Sequence, residues 1–319
     1  FRNVTGVQTC ALPISAEGKS NLEESEASKL KKALRQELNS LPYVTASSCA
    51  SLGVQVPTKL AYETNYAINK FVLGDIDTTN FVRKELKYKS RIAVCDAFAA
   101  EQVDALALAI TQIKEKKGFI LGDMAGIGKG RVCAGILRYA KINGLIPIFM
   151  TFNAPLFSDI YNDFKDIGGI DEDGNLPMPF IFNSDGSIQE EADGTTRTAI
   201  KALPTKKVVQ LCKANKMPND TDMVMLTYSQ LSQDTTNEKN QNAIIKYDFL
   251  KSIVSKSIYV LDESHKGAGA GNIADNLGSL IAQSFGTMFA SATYAKTPKS
   301  MLMYMPKTDI ADKIGRAHV

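Results

Sequence analysis

The sequence predicts an α/β fold, a doubly wound parallel sheet preceded by a small helical region. Two observations carry that prediction. From Phe98 onward, short runs dense in β-branched and aromatic residues alternate with amphipathic helical stretches, the pattern of a parallel sheet covered on both faces. Several of these runs then stop abruptly at glycine-rich or acidic clusters, where strands of open α/β sheets meet their ligands. With 319 residues, 44% of them hydrophobic, the chain is long enough for one large domain or two smaller ones.

Both ends are set aside before the elements are placed. "VTGVQTCALPIS" (Val4 to Ser15) and the terminal "IGRAHV" resemble translated sequencing-adapter DNA, so residues 1–15 and 314–319 are read as artefact, expected to be disordered. Residues 16–313 are then the natural portion, expected to be cut from a longer gene. The net charge of +3 includes Arg2 and Arg316, and 3 − 2 leaves +1, which gives no hint of a polyanionic partner. Cys49, Cys95, Cys133 and Cys212 are scattered without any Cys-x-x-Cys or Cys/His pairing, which predicts reduced thiols and no structural metal. No apolar stretch approaches the ~20 residues that span a bilayer. A cytoplasmic protein of a bacterial or phage-infected cell is the expectation.

Residues 16–97 read as the helical lead-in. "SNLEESEASKLKKALRQELNSL" (20–41) has a Ser/Asn start, acids early and bases late, as an N-capped helix requires. Residues 58–89 read as two further helices broken at Gly74, with Asp77 or Thr78 capping the second. In residues 98–313 the predicted strands are 118–122, 146–152, 179–183, 222–228, 257–262 and 287–293. Helices are predicted over 99–116, 128–143, 155–168 and 242–255, and 168–179 and 183–196 read as surface loops rich in Gly and Asp.

Three strand ends carry chemistry. In "FILGDMAGIGKGR" (119–131) a strand gives way to a turn through Gly126, Ile127 and Gly128, and a helix starts near Lys129, followed by Gly130 and Arg131. Such a turn converges backbone N–H groups on phosphate oxygens and aims a helix N-terminus at them, with Lys129 reaching the β- and γ-phosphates. The strict pattern G-x-x-x-x-G-K-[ST] fails twice, at Asp123 and at Gly130, so a glycine-rich turn with an exposed lysine stays open. In "SIYVLDESHKG" (257–267) an apolar strand ends in Asp262, placed to hold Mg²⁺, and Glu263, placed to deprotonate a water. His265, the one histidine of the natural portion, is assigned to coupling between nucleotide and nucleic-acid sites, against the plainer alternative of a polar surface residue. Ser291 and Thr293, at the end of the last strand directly after "TMFA", are assigned the same coupling role. The order of lysine loop, Asp-Glu-Ser-His and Ser-Ala-Thr resembles motifs I, II and III of superfamily 2 helicases.

"GDMAGIGKGR", "PIFMTFNAPLFSDIYNDFKDIG", "VMLTYSQL" and "VLDESHKG" together resemble the strawberry notch family of helicase-like ATPases, over roughly Phe98 to Thr293. The resemblance implies the first RecA-like domain of a P-loop NTPase that uses ATP and Mg²⁺. It makes Gly130 a family trait, because that family also carries Gly-Lys-Gly-Arg. A water anchored by Asp262 or Asp123 is then expected in place of the missing hydroxyl. The resemblance further implies that Gln102 reads adenine, and that Thr151, Asn153, Thr227 and Tyr228 contact a DNA or RNA backbone. A second RecA-like domain is expected beyond Lys313, so the chain alone is expected to be weakly active or inactive. A catalytically silent nucleotide sensor or scaffold stays open as the alternative, as does a small-molecule kinase that shares only the phosphate loop.

Overall fold

A computed structural model of the chain describes residues 40–70, 77–122, 127–232, 238–268, 271–293 and 298–310. Both adapter-like ends, the break at Gly74 and most of the helix read over 20–41 lie outside the described residues; Ser40 and Leu41, its last two residues, belong instead to a strand. That strand, β1 (Ser40–Pro42), pairs antiparallel with β2 (Gln55–Pro57). Three helices follow, α1 (Thr58–Ile68), α2 (Thr78–Glu85) and α3 (Arg91–Ala97). Asp77 caps α2 as the sequence predicted, its carboxylate accepting the Thr79 N–H at 2.9 Å. Val82, Leu86 and Val94 from these helices join the same apolar core as the helices that follow.

The expectation of four unpaired thiols is corrected here. Cys49 and Cys95 form a disulfide, while Cys133 and Cys212 are free and buried. The partners are 46 residues apart, and the fold of the lead-in brings their Cα atoms to 4.9 Å; no local spacing could have announced the pair.

All six strands read from the sequence form one parallel sheet: β3 (Gly118–Leu121), β4 (Ile146–Thr151), β5 (Pro179–Ile181), β8 (Met223–Thr227), β9 (Ser257–Asp262) and β10 (Gly286–Ala290), in the order β3-β10-β9-β4-β8-β5. Alternate residues of each strand feed opposite cores, which is why the strands read as continuous apolar runs. On β9, Ile258 and Val260 face the helices α4 (Ala100–Lys114), α5 (Lys129–Ile142) and α6 (Leu156–Asp166), packing in a core with Leu106, Ile136 and Phe164. Tyr259 and Leu261 face α7 (Thr205–Lys213), α8 (Glu238–Ile253) and α9 (Asn272–Gln283), with Val208, Phe249 and Leu280. Among the described residues no helix is long and apolar enough to cross a membrane.

Residues 183–196, read as a surface loop, are a second correction. Most of that stretch belongs to an antiparallel hairpin, β6 (Ile188–Ala192) and β7 (Thr195–Ile200), joined by Asp193-Gly194. An Asp-Gly pair is a strong two-residue hairpin signal, but the mostly exposed β7 lacks the apolar alternation that announces a strand.

Candidate nucleotide site

Strand register fixes where the functional side chains meet. Leu121, Ala290 and Asp262 lie side by side across β3, β10 and β9, Met150 pairs with Leu261, and Thr151 pairs with Thr227. The carboxyl ends of β3, β10, β9, β4 and β8 therefore finish in one row, the edge at which open α/β sheets bind ligands.

At the β3 end of this row, α5 begins at Lys129 behind Gly128. Gly128 has φ +72°, and a Cβ there would collide with the Gln102 side-chain nitrogen, so glycine is required twice over. Gln102 is buried, and its amide is occupied inside the protein. It donates to the carbonyls of Ile127 (2.9 Å) and Gly128 (3.3 Å) and accepts the Ala99 N–H (3.0 Å). The structure thus gives Gln102 a grip on the loop backbone. Lys129 opens the helix, and its charge is felt at both Asp262 and Cys133. Arg131 is tied to Asp166 at 2.7 Å. Gly126 and Asp123 lie outside the described residues.

Gly130 has a side chain standing close beside it. A Cβ on it would lie 2.8 Å from Cγ of Asp163 and nearer still to one carboxyl oxygen, so the α6 side chain already fills the space of the absent serine or threonine. Burial, reinforced by Asp166, pushes the Asp163 carboxyl up to about 7. Asp163 is the functional candidate that the sequence analysis missed. Its signal was Asp159, Asp163 and Asp166 at helical spacing, one acidic face on a helix noticed for its apolar one.

Asp262 closes β9 with one carboxylate oxygen accepting the Thr151 hydroxyl at 3.1 Å and its carbonyl accepting the Tyr228 hydroxyl at 2.7 Å. Burial raises its pKa, and the neighbouring Glu263 adds to that, while the Thr151 hydrogen bond and Lys129 oppose it. Glu263 takes a left-handed backbone (φ 47°), a conformation uncommon for residues with a Cβ, and turns the chain sharply. That turn leaves its side chain 42% exposed and brings His265 back beside it. The His265 Nδ1 lies 3.2 Å from Glu263 Oε2 and 2.8 Å from Ser291 Oγ. Ser291 Oγ also accepts the Thr293 N–H at 3.1 Å, and the Ser291 N–H donates to the Leu121 carbonyl at 3.1 Å. The structure thus brings together Lys129, Asp262, Glu263, His265, Ser291 and Thr293 along the edge.

The residues expected at a polynucleotide are placed differently from one another. Thr151, Thr227 and Tyr228 are buried, their hydroxyls bonded to Asp262, to Asn183 and Ser229, and to the Asp262 carbonyl respectively. Asn153 is exposed. Beside it Phe152 is 57% exposed, with the Lys266 ammonium 5.0 Å from its ring centroid.

Among the described residues no group of three or more His, Cys, Asp or Glu side chains could hold a metal alone. Mg²⁺ in phosphate sites needs no such cage, since one or two carboxylates, waters and the substrate phosphates complete its shell. Asp262, with Asp163 across the first turn of α5, fits that requirement. A search of curated proteins finds no match to the chain. The family model described as P-loop containing NTP hydrolase pore-1 matches residues 78–313, from the first residue of α2 to beyond the last strand, and so takes in the phosphate loop and the carboxylate edge together. The parallel sheet, with a lysine-led helix at one strand end and an acidic pair two strands away, lies within that match, which covers most of the sequence, and the chain belongs to the P-loop containing NTP hydrolase pore-1 family.

Proposed function

We propose that the chain is the ATP-binding first motor domain of a superfamily 2, helicase-like ATPase of the strawberry notch type, whose turnover depends on nucleic acid. The backbone N–H groups at the start of α5 and the Lys129 ammonium bind the β- and γ-phosphates. Glu263 accepts the proton of a water that attacks the γ-phosphorus as the bond to the ADP oxygen breaks, giving ADP and inorganic phosphate. Bound Mg²⁺, held by Asp262, supplies neutralisation of the charge that develops on the phosphate oxygens. Phe152, Asn153 and Lys266 offer an exposed aromatic face, an amide and a cation for a base and its backbone, a combination suited to single strands.

One observation supports this reading above the others: the contacts run unbroken from Glu263 through His265 and Ser291 to the Leu121 carbonyl, just before the phosphate loop. A base linked in this way to the neighbouring strand ends is suited to a turnover that responds to what binds along the edge. The test is ATP turnover with and without single-stranded DNA, duplex DNA or RNA, in the chain joined to the second RecA-like domain that the resemblance places after residue 313. Stimulation by a polynucleotide is expected, and His265→Ala should keep ATP affinity while losing most of the stimulation. Turnover indifferent to every polynucleotide would overturn the helicase-like reading. Tight ATP binding without any turnover would favour a nucleotide sensor.

A further inference from the structure

We propose that Asp163 takes over the role of the missing serine or threonine at position 130, its carboxylate serving, directly or through one water, as a ligand of the divalent cation that accompanies the bound nucleotide. The inference rests on the nucleotide-site reading above and adds to it a residue from a different helix.

Position comes first. The hydroxyl of a phosphate-loop Ser/Thr reaches Mg²⁺ from the first turn of the helix. At that place this chain has Gly130, and a Cβ built there would meet the Asp163 carboxyl, 2.8 Å from Cγ and 3.2 Å from Oδ1, with Oδ2 nearer than either. An oxygen of a different residue therefore stands where the hydroxyl-bearing side chain would be, and the glycine is what lets it approach.

Electrostatics come second. One cation, Arg131, attracts the Asp163 carboxyl. Its ion pair is with Asp166. Burial acts most strongly on Asp163, and the like charges of Asp166, Asp159 and Asp262 add to it against the single opposing charge of Arg131. A half-buried carboxylate kept among acids, its one nearby cation bonded to Asp166, is costly to hold, and a cation arriving with the nucleotide lowers that cost. Asp262 is near enough to act on Asp163 directly, and both act on the buried Cys133 one turn into α5. Two carboxylates and a polyphosphate make an oxygen-rich site of the kind Mg²⁺ or Mn²⁺ takes.

The experiment measures binding on the whole chain, with a fluorescent ATP analogue in EDTA and in Mn²⁺, and with free Mn²⁺ followed by electron paramagnetic resonance. In the wild type, Mn²⁺ should raise analogue affinity. In Asp163→Ala the ratio of affinities with and without Mn²⁺ should fall about tenfold or more, and Mn²⁺ retention should fall with it. Gly130→Ser alone should also lose the ratio, because serine and the carboxylate compete for one space, and Gly130→Ser with Asp163→Ala should recover much of it. A melting curve shows whether each variant folds. An unchanged ratio in a folded Asp163→Ala overturns the proposal, as does an equal rise in affinity with and without Mn²⁺, which would make Asp163 a phosphate-mimicking blocker. Failure of the wild type to bind the analogue in either condition would instead overturn the nucleotide-site reading, and the proposal with it.

Discussion

The two halves of the sheet's carboxyl edge are finished in opposite ways. Along β3, β10 and β9 the edge carries Lys129, Asp262 and the half-exposed Glu263, with Asp163 reaching in from α6. Along β4, β8 and β5 the polar groups close on one another. The Asn183 amide donates to Thr227 Oγ1 at 2.9 Å and accepts the Thr227 N–H at 3.0 Å, and the buried Lys246 donates to the Phe182 carbonyl at 3.0 Å and to Gln230 at 2.5 Å. One half gathers charges of both signs at the edge where a phosphate and its cation would sit. The other bonds most of its polar groups internally, Thr151 handing its hydroxyl across the boundary to Asp262.

Paired substitutions test that division most strongly. Lys129→Ala should weaken ATP binding by about 1.5–3 kcal/mol, the value of a hydrogen bond to a charged group, with little change in melting temperature. Asn183→Ala should do the reverse, costing about 1–3 kcal/mol of stability because Thr227 is left unsatisfied in a buried position, with ATP affinity within about twofold of the wild type. If denaturant titration and nucleotide titration show both variants losing the same property, the two halves are not distinct.

A subtler effect sharpens the contrast from the ligand side. The unfolded Asp163 loses its proton near the ordinary carboxylate value of 3.8, whereas the folded carboxyl is pushed up to about 7 by burial and by Asp166. Between those values the folded chain binds more protons than the unfolded one, so stability falls as pH rises through that window and stays lower above it. Asp163→Asn in EDTA at pH 8 should therefore be more stable than the wild type by about 1–2 kcal/mol after allowance for partial exposure. The gain should disappear as pH is lowered toward 4. A variant less stable than the wild type at pH 8 would mean that the carboxylate serves the fold.

The smallest expected effect concerns Gln102. Because its amide is bonded to the Ile127 and Gly128 carbonyls, Gln102→Ala should lower ATP and GTP affinity alike, by about 0.5–1.5 kcal/mol. A loss confined to ATP would support the adenine-reading role that the family resemblance implies.

Legibility in the sequence followed burial. The six sheet strands were readable because residues such as Tyr259 and Val260 are buried on opposite faces, leaving unbroken apolar runs. The hairpin of β6 and β7 was not, since β7 is exposed along almost its whole length. Helix α9 was missed although Leu277, Leu280 and Ile281 give its buried face helical spacing. At the site, Lys129, Asp262, Glu263 and Ser291 were readable because each sits where an element begins or ends. Asp163 and the hold of Gln102 on the loop were not, because both depend on how closely a helix approaches a neighbouring backbone. The Cys49–Cys95 bridge likewise exists only in the tertiary fold.

The close approach of Asp163 to Gly130 also constrains how the pair can change over descent. A serine gained at position 130 collides with the acid, and an acid lost from position 163 leaves neither oxygen in place, so each single replacement passes through a disadvantaged intermediate. The two positions, 33 residues apart in the chain, should therefore be inherited as a unit. Among relatives, glycine should travel with an acid and serine or threonine with its absence, and lineages that mix the two should be rare.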